Sequence, residues 1–471
     1  MNNFINRNPE LSQLKTLYQK QAGQLVILYG RRRLGKTTLL RDFCENKSHC
    51  YYMADKAGEQ SQKKSLALAM STALQEPLLQ SAEYPEWYDL FAAFDRFRPK
   101  NTKIILILDE YQYICQTQLA FSSFIQKWWD EHWQHEEVML ILCGSVTSMM
   151  YRETMAQSAP LYGRASAQIL LTPLQYNHLK DFFPGRIEEE LIKLYSLGGG
   201  VPRYLELLQN YQNFIEALQE LVLNRSGILY HEARYLLHEE ISSPNTCWSI
   251  LQVLGGGTGR ISEIGSKLGL PANQLTHYIE LLRDLYLVYR EVPVLEKNPA
   301  RSKKGFYQVA DPFLRLWFGS IYPYDSFLEF GQVELVMERL NPLIQNHIAF
   351  CYEQLCRDFV KNNFAVFGCL KVGRQWARNY EIDVAGVDTD FRLNIVGECK
   401  WSHKKVGLSV FRELQNKIKD NKLPLAPDCR FLLFSKAGFT KDLGRAAERD
   451  KNLLLINSLF ESGGQPLLSL K

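Results

Sequence analysis

Residues 30–37 combine glycines, a lysine and a hydroxyl at the spacing GxxxxGKT, between an apolar run and a helical pattern. Glycines allow backbone N–H groups to converge on a phosphate, and a helix that begins at Lys36 directs its positive dipole end at the same anion. Lys36 would neutralise phosphate charge, and the Thr37 hydroxyl would be a ligand of Mg²⁺. The pattern predicts a nucleotide-binding loop with ATP and Mg²⁺ as cofactors. Its residues are Gly30, Arg31, Arg32, Arg33, Leu34, Gly35, Lys36, Thr37 and Thr38.

Two adjacent carboxylates, Asp109 and Glu110, follow the apolar run at residues 104–108. Beside a phosphate-binding loop, Asp109 would hold Mg²⁺ through its hydration shell. Glu110 would polarise a water molecule for attack on the γ-phosphate, which is the task of a general base. An acidic pair at the end of a strand can also be a solvated cap. The preceding loop favours the catalytic interpretation.

A third candidate site lies near the C-terminus, where two strand-like segments flank a turn at residues 388–390. We expect a β-hairpin that brings Asp383, Glu398 and Lys400 together, with Glu398 and Lys400 on one face because side chains alternate along a strand. The two carboxylates would bind Mg²⁺ and Lys400 would orient or activate water, which is metal-assisted phosphodiester hydrolysis. A salt-bridged hairpin without chemistry explains the same residues.

The first 240 residues alternate short apolar runs with longer helical patterns. This alternation predicts an α/β fold with a mainly parallel sheet covered by helices, in which the apolar runs are buried central strands. Residues 191–237 have a helical pattern interrupted by GGGVP at residues 198–202, which marks a turn. We expect this part to form a helical lid after the sheet.

Residues 245–318 have the order of a winged helix: helices, a turn, a helix and a hairpin. Residues 272–284 would be the recognition helix, and the basic segment 295–305 would be the wing that contacts DNA phosphates. The same module can be only a structural appendage. The residues that would meet DNA are Asn273, Gln274, Thr276, His277, Lys297, Arg301, Lys303 and Lys304.

Composition restricts the class of protein. The chain has 471 residues and a net charge of +4, so it is too long for one core and is not a polycation. Residues 371–471 nevertheless carry 18 Lys+Arg against 12 Asp+Glu. The ten cysteines have no zinc-ligand spacing, and no apolar run is long enough for a membrane span or a secretion signal. We therefore expect a cytoplasmic protein with buried thiols and no membrane partner.

The first 240 residues resemble archaeal-type ATPases of the AAA+/STAND assemblage. The resemblance is carried by Phe4, Arg7, Glu10 and Leu11, and by GRRRLGKT, ILDEYQ, LILCGS and GGVPRYLE. It adds Arg7 to the nucleotide-binding residues and implies that Ser145 is a γ-phosphate sensor, Arg164 an arginine finger in a possible homo-oligomer, and Arg203 a lid sensor. The alternatives are a strand cap for Ser145, a loop charge for Arg164 and a solvated helix charge for Arg203. The three arginines at residues 31–33 could form a solvated loop tip, screen phosphate or touch DNA.

Residues 340–471 resemble the PD-(D/E)XK nuclease superfamily, in the form of the DUF234 domain that follows archaeal-type ATPases. The resemblance implies a restriction-endonuclease-like α/β domain. It makes Glu353 the first acidic position, so that the metal ligands would be Glu353, Asp383 and Glu398. Gln415 is a weaker match on the following helix.

Together these patterns predict a P-loop NTPase core at residues 1–185, a lid at 186–244, a winged helix at 245–320, a connector at 321–340 and a nuclease-like domain at 341–471. The corresponding function is ATP hydrolysis in a protein that acts on DNA, with a possible metal-dependent nuclease. The alternative is a STAND-type regulatory switch whose C-terminal domain is a binding module without catalysis.

Overall fold

The structure is a computed structural model that describes residues 6–145, 150, 153–241 and 244–460. Phe4, one of the residues in the resemblance above, lies outside these ranges. The chain divides into two compact units. Unit 1 contains Met1–Leu174, Val201–Arg203 and Leu236–Ser242, and unit 2 contains Gln175–Gly200, Tyr204–Tyr235 and Ser243–Lys471. The five-segment division predicted from the sequence is finer than this one and remains a prediction.

Unit 1 is built on a five-stranded parallel sheet in the order β2-β3-β4-β1-β5. The central strands are runs of branched aliphatic residues that are buried on both faces, as expected for a parallel sheet covered by helices. The predicted parallel α/β core is therefore confirmed. The strands are β1 Gln24–Gly30, β2 His49–Met53, β3 Ile104–Asp109, β4 Val138–Gly144 and β5 Ala167–Leu171.

Helices cover the unit 1 sheet, and an aromatic cluster fills one side of its core. Phe91 contacts Phe121, Trp128 and Trp133 with ring centroids 5.5–6.4 Å apart. Such clusters bury a large apolar area, which fixes the positions of the helices on the sheet. The positions of the strand ends are fixed in turn. The helices are Asn8–Tyr18, Lys36–Cys44, Glu59–Leu74, Leu78–Ser81, Trp87–Phe97, Tyr111–Thr117 and Phe121–Trp128, followed by a π-helical turn at Trp129–Trp133.

A helical stretch follows the sheet, in agreement with the helical pattern of the sequence. Its break falls at Gly199, whose φ of +55° lies in the region that favours glycine. The elements are the 3-10 turn Tyr176–His178, the helices Leu179–Phe182, Glu188–Gly198, Pro202–Leu208, Phe214–Ala217 and Glu232–Glu240, and the π-helical turn Leu218–Leu223.

Unit 2 continues with three helices and an antiparallel hairpin, which is the element order predicted for this part of the chain. Assignment as a winged helix remains a proposal. The helices are Pro244–Gly255, Ile261–Leu268 and Ala272–Asp284, and the hairpin consists of β6 Val288–Glu291 and β7 Phe306–Val309, with a 3-10 turn at Pro299–Arg301 between them.

The segment expected to be a connector is largely helical. Its longest element is the 30-residue helix Val333–Asn362, which begins inside the predicted connector and continues into the predicted nuclease-like domain. Pro342 lies inside this helix, although a proline usually indicates a helix boundary. The shorter elements are Pro312–Leu316, Trp317–Ile321, Tyr322–Tyr324 and Asp325–Glu329.

A second five-stranded sheet, in the order β12-β11-β10-β9-β8, completes unit 2. Strands β8, β9 and β10 are antiparallel, whereas β10, β11 and β12 are parallel. The α/β character and the hairpin predicted here are confirmed. The strands are β8 Lys371–Trp376, β9 Glu381–Val387, β10 Leu393–Lys400, β11 Leu425–Ser435 and β12 Leu453–Ile456, and the helices are Phe364–Phe367, Leu408–Asp420 and Lys441–Arg449.

No helix in the described ranges combines the length and apolar character that a bilayer span requires.

Candidate functional site

The predicted phosphate-binding loop connects β1 to the helix Lys36–Cys44 in unit 1. Gly35 precedes the helix with a φ of +84°, a conformation that residues with a Cβ rarely adopt. A Cβ on Gly30 would lie 2.6 Å from the carbonyl oxygen of Leu171 on the neighbouring strand β5. These glycines allow the chain to turn sharply between the strand and the helix. The loop therefore ends at a helix N-terminus, which is a favourable place for an anion.

Lys36 is buried and folds back over its own loop. Its Nζ donates to the carbonyl oxygens of Gly30 at 2.7 Å and Arg31 at 3.2 Å. Arg7 supports the other side of the loop, because its Nη2 donates to the carbonyl oxygen of Leu34 at 3.0 Å. Arg7 thus contacts the loop backbone, and its part in nucleotide binding would be to position the loop.

Asp109 lies at the end of β3, beside the hydroxyl of Thr37. Thr37 Oγ1 donates to Asp109 Oδ2 at 3.0 Å, and the Tyr51 hydroxyl donates to the same oxygen. The backbone N–H of Glu110 donates to Asp109 Oδ1 at 2.9 Å. A hydroxyl next to a carboxylate is the oxygen-donor set that Mg²⁺ prefers, so these residues fit the expected metal.

Glu110 has a left-handed backbone with a φ of +53° and directly precedes the helix Tyr111–Thr117. Its Oε2 accepts a hydrogen bond from Gln112 Nε2. Gln112 is buried against β4, where a Cβ on Gly144 would collide with Gln112 Oε1. Gln112 was not predicted as a site residue, although its place two residues after Glu110 was the available signal.

The three arginines of the loop have different surroundings. Arg31 is only 4% exposed, so the expectation of a solvated tip is wrong for this residue. Arg32 is half-buried: its Nη1 donates to Glu239 Oε2 at 2.5 Å and its Nη2 donates to the Tyr113 hydroxyl at 2.7 Å. Arg33 has a φ of +68°. The side chain of Arg32 therefore holds the loop to other parts of unit 1.

The residues implied by the family resemblance lie in contrasting environments. Ser145 follows β4 and is 1% exposed, and its Oγ has no hydrogen-bond partner within the described ranges. Arg164 donates from Nε and Nη2 to the carboxylate of Asp130, each at 2.8 Å. Arg203 and Thr38 are exposed. Their roles as sensor, finger, lid sensor and nucleotide contact remain predictions.

In unit 2, the hairpin of β9 and β10 brings Asp383 next to the end of β10. Asp383 Oδ2 accepts a hydrogen bond from the backbone N–H of Cys399 at 2.9 Å. Glu398 accepts from two lysines, Lys400 Nζ at 2.8 Å and Lys417 Nζ at 2.9 Å. The predicted convergence of Asp383, Glu398 and Lys400 on adjacent strands is thus present.

Carboxylates face one another in this group. Burial and the nearby charge of Asp383 raise the pKa of Glu353 to about 7. Burial and the charge of Glu398 also raise the pKa of Asp383. Across the described ranges, however, no three His, Cys, Asp or Glu side chains gather closely enough to hold a metal ion. The group therefore has the ligand types for Mg²⁺ but not a closed set of three ligands.

The helix Leu408–Asp420 contributes a different residue from the expected one. Gln415 is exposed, whereas Lys417, two positions later, reaches the buried Glu398. Amphipathic spacing explains the difference, since Leu414 and Ile418 are buried and Lys417 lies beside them. Lys417 was not predicted from the sequence, because the resemblance pointed to Gln415 on this helix and not to a lysine.

Comparison with known proteins gives the family. A family described as "ATPase domain predominantly from Archaea" matches residues 4–208, and one described as "Archaea bacterial proteins of unknown function" matches residues 317–412. An uncharacterised protein of Methanocaldococcus jannaschii is 30% identical over 422 residues, which cover 88% of this chain and 92% of that protein. An uncharacterised ATP-binding protein of the same organism is 50% identical over 44 residues, which cover 9% of this chain and 75% of that protein.

Solved structures have more distant similarity. A Walker-type ATPase of Pyrococcus abyssi has 18% identity and a TM-score of 0.49, covering 67% of this chain and 96% of its own. The ORC2 protein of Aeropyrum pernix, solved in ADPNP and ADP complexes, has 15% identity and a TM-score of 0.42, covering 70% of this chain and 98% of its own.

The fold and the loop of unit 1 define a P-loop ATPase domain. The chain belongs to the archaeal-type ATPase family, and its residues 317–412 match the DUF234 family.

Proposed function

We propose that the chain hydrolyses ATP at the loop of residues 30–37, and that Mg²⁺ is held by Thr37 and Asp109. The observation that carries the proposal is the contact between the Thr37 hydroxyl, in the first turn of the helix Lys36–Cys44, and the Asp109 carboxylate, at the end of β3. Bound Mg²⁺ would neutralise phosphate charge. Lys36 would turn from the carbonyls of its loop to the β- and γ-phosphates, which offer it stronger, charged acceptors.

Glu110 is the proposed general base. Its carboxylate stands one residue beyond Asp109, and the hydrogen bond from Gln112 holds one carboxylate oxygen in place. The other oxygen would accept a proton from water during attack on the γ-phosphate. Gln112 acts through Glu110 and is a positioning residue.

The test is nucleotide binding and hydrolysis by the full chain. Lys36→Ala is expected to lose ATP binding in calorimetry, and Glu110→Gln is expected to bind ATP but to hydrolyse it at least about 100-fold more slowly. Lys15→Ala, which removes an exposed lysine of unit 1, is the matched control and is expected to leave both unchanged. Normal ATP binding by Lys36→Ala would show that the nucleotide site is elsewhere.

A second candidate function is metal-dependent cleavage of DNA by unit 2. It is favoured by the convergence of Asp383, Glu398 and Lys400 and by the mutual repulsion of the carboxylates, which a cation would relieve. Lys400 would orient the attacking water once it leaves Glu398. Cleavage in Mg²⁺ or Mn²⁺ is expected to disappear in Lys400→Ala and to persist in Lys405→Ala, an exposed neighbour.

Linear, branched and single-stranded DNA should all be tested. No cleavage of any of them by the wild type would favour the alternative, a STAND-type switch whose C-terminal domain only binds a partner. In that case the nucleotide state would control the binding surface.

DNA is the proposed partner, with the hairpin of β6 and β7 as a wing. Lys297, Lys303 and Lys304 are exposed in the basic segment between these strands. Replacing Lys303 and Lys304 by alanine is expected to weaken DNA binding at all sequences and to lower the salt dependence of log K by about one per lysine. An unchanged salt dependence would remove this segment from the interface.

We also propose a homo-oligomer in which Arg164 is an arginine finger for the nucleotide of a neighbouring chain. Arg164 would have to exchange Asp130 for a neighbour's nucleotide. Mixing Arg164→Ala with Lys36→Ala chains tests whether Arg164 acts in its own chain or in a neighbour. A finger supplied by a neighbour would restore some ATP hydrolysis in the mixture, because the Lys36→Ala chains still carry Arg164 and the Arg164→Ala chains still carry the loop.

A further inference from the structure

A glutamate from a distant part of the chain reaches the phosphate-binding loop. Glu240 is the last residue of the helix Glu232–Glu240, and the segment Leu236–Ser242 belongs to unit 1 together with the loop. Glu240 Oε1 accepts a hydrogen bond from the backbone N–H of Arg32 at 3.1 Å. Glu240 is 5% exposed. A buried carboxylate therefore accepts a hydrogen bond from one of the loop N–H groups.

This carboxylate is poorly compensated. Its Oε2 has no hydrogen-bond partner in the described part of the chain, and burying such an oxygen carries a free-energy cost. Burial raises the pKa of Glu240, whereas the charges of Lys36, Arg32 and Arg31 act in the opposite direction. The arrangement is stabilised by the positive charge of the loop and not by a full set of hydrogen bonds.

The position is also unfavourable for the helix. Glu239 and Glu240 are its last two residues, where the negative end of the helix dipole disfavours carboxylates. Both carboxylates accept hydrogen bonds from Arg32, one from the side chain and one from the backbone. The positions of the two carboxylates are therefore explained by their hydrogen bonds with the loop and not by the stability of the helix that carries them.

The loop N–H groups and Lys36 are the parts that would hold the phosphates of a nucleotide. Glu240 is a carboxylate that accepts a hydrogen bond from one of these N–H groups, that of Arg32. We propose that Glu240 is a competing anion that lowers the affinity of the loop for nucleoside triphosphate, and that bound triphosphate displaces its carboxylate from Arg32. The inference rests on the proposed nucleotide site and adds a residue that sets its selectivity for phosphate charge.

A purely structural role makes a different prediction. If Glu240 only supports the loop, its removal loosens the loop and weakens nucleotide binding. Glu240→Gln separates the two roles, because the amide oxygen can still accept from Arg32 N–H while the negative charge is gone. Competition predicts tighter binding in this variant, and support predicts unchanged or weaker binding.

The experiment is calorimetric titration of the full chain with Mg²⁺ and ATP, and separately with ADP. Glu240→Gln is expected to bind ATP about tenfold more tightly than the wild type, with a smaller gain for ADP, which carries less phosphate charge. Glu45→Gln removes an exposed carboxylate of unit 1 and is the control, with a change of less than about twofold expected.

Two results would contradict different parts of the proposal. ATP binding by Lys36→Ala equal to that of the wild type would overturn the nucleotide site itself. Binding that depends on Lys36 but is no tighter in Glu240→Gln would leave the nucleotide site intact and overturn the competition. Glu240→Asp keeps the charge and is expected to bind no more tightly than the wild type, and a melting curve of each variant excludes loss of fold as the cause of a change.

Discussion

The two acidic sites of the chain differ in how their carboxylates are compensated. In unit 1, Asp109 receives hydrogen bonds from the Thr37 hydroxyl, the Tyr51 hydroxyl and a backbone N–H. In unit 2, Glu353 and Asp383 interact with another carboxylate. Neutral donors fix the first site in one geometry, whereas the second retains repulsion that a proton or a cation would relieve. A site can thus favour a metal ion in two ways: its carboxylate can be held in one orientation by neutral donors, or its carboxylates can repel one another until a cation binds.

The largest effect is expected for loss of charge at the oriented site. Asp109→Asn should lower Mg²⁺-dependent ATP hydrolysis about 1000-fold, because the amide cannot replace a carboxylate beside a divalent cation. Steady-state assays over a range of Mg²⁺ concentrations check this. Asp42→Asn, in the same unit, serves as a control, and hydrolysis by Asp109→Asn close to the wild-type rate would contradict the assignment.

The next effect concerns the repulsive site and depends on pH. A carboxyl whose pKa rises from 4.5 to about 7 on folding binds more protons when folded. Its contribution to the free energy of unfolding is complete below pH 4.5 and is lost as the pH rises through 7. Glu353→Gln cannot ionise, so in EDTA at pH 8 it should be roughly 2 kcal/mol more stable than the wild type, with no gain at pH 4.

Calorimetric melting of the full chain at both pH values measures this difference. Glu413→Gln, which removes an exposed carboxylate of unit 2, should show no such pH dependence. A Glu353→Gln gain that is equal at both pH values would contradict electrostatic repulsion as the cause.

A smaller effect is expected from the residue that positions the proposed base. Gln112→Ala should lower kcat about tenfold and leave ATP affinity unchanged, because only Glu110 loses its partner. Gln126→Ala, on another helix of the unit, is the control. A change in ATP affinity with normal kcat would place Gln112 in nucleotide binding.

The smallest effect is expected for loss of one of the neutral hydrogen-bond donors that orient Asp109. Tyr51→Phe removes one of two hydroxyls at Asp109 Oδ2, and Thr37 retains the other. We expect about a threefold higher Mg²⁺ requirement, corresponding to less than ~1 kcal/mol for one shared hydrogen bond. Titration of hydrolysis with Mg²⁺ tests this, and a loss as large as that of Asp109→Asn would contradict it.

The sequence was most informative where a local pattern fixes the structure. The strand before Gly30, the helix that begins at Lys36 and the hairpin around residues 388–390 follow from apolar runs and turn residues, and all three are confirmed. Contacts between distant segments were predictable where both partners belong to a motif, as for Thr37 and Asp109, and not elsewhere. Glu240 meets Arg32 across 208 positions, and Lys417 meets Glu398 because of the packing of a helix on a sheet. No local periodicity carries such information, and Pro342 shows that a strong local signal can be overridden inside a long packed helix.

All ten cysteines are free thiols buried in the structure. Burial raises the pKa of several of them, including Cys50 and Cys351 to about 12, so little thiolate is present at neutral pH. Maleimide reagents should therefore modify the native protein slowly, and the rate of labelling would report how often each unit opens. One cysteine introduced at an exposed position could then carry a fluorophore without prior removal of the natural ones.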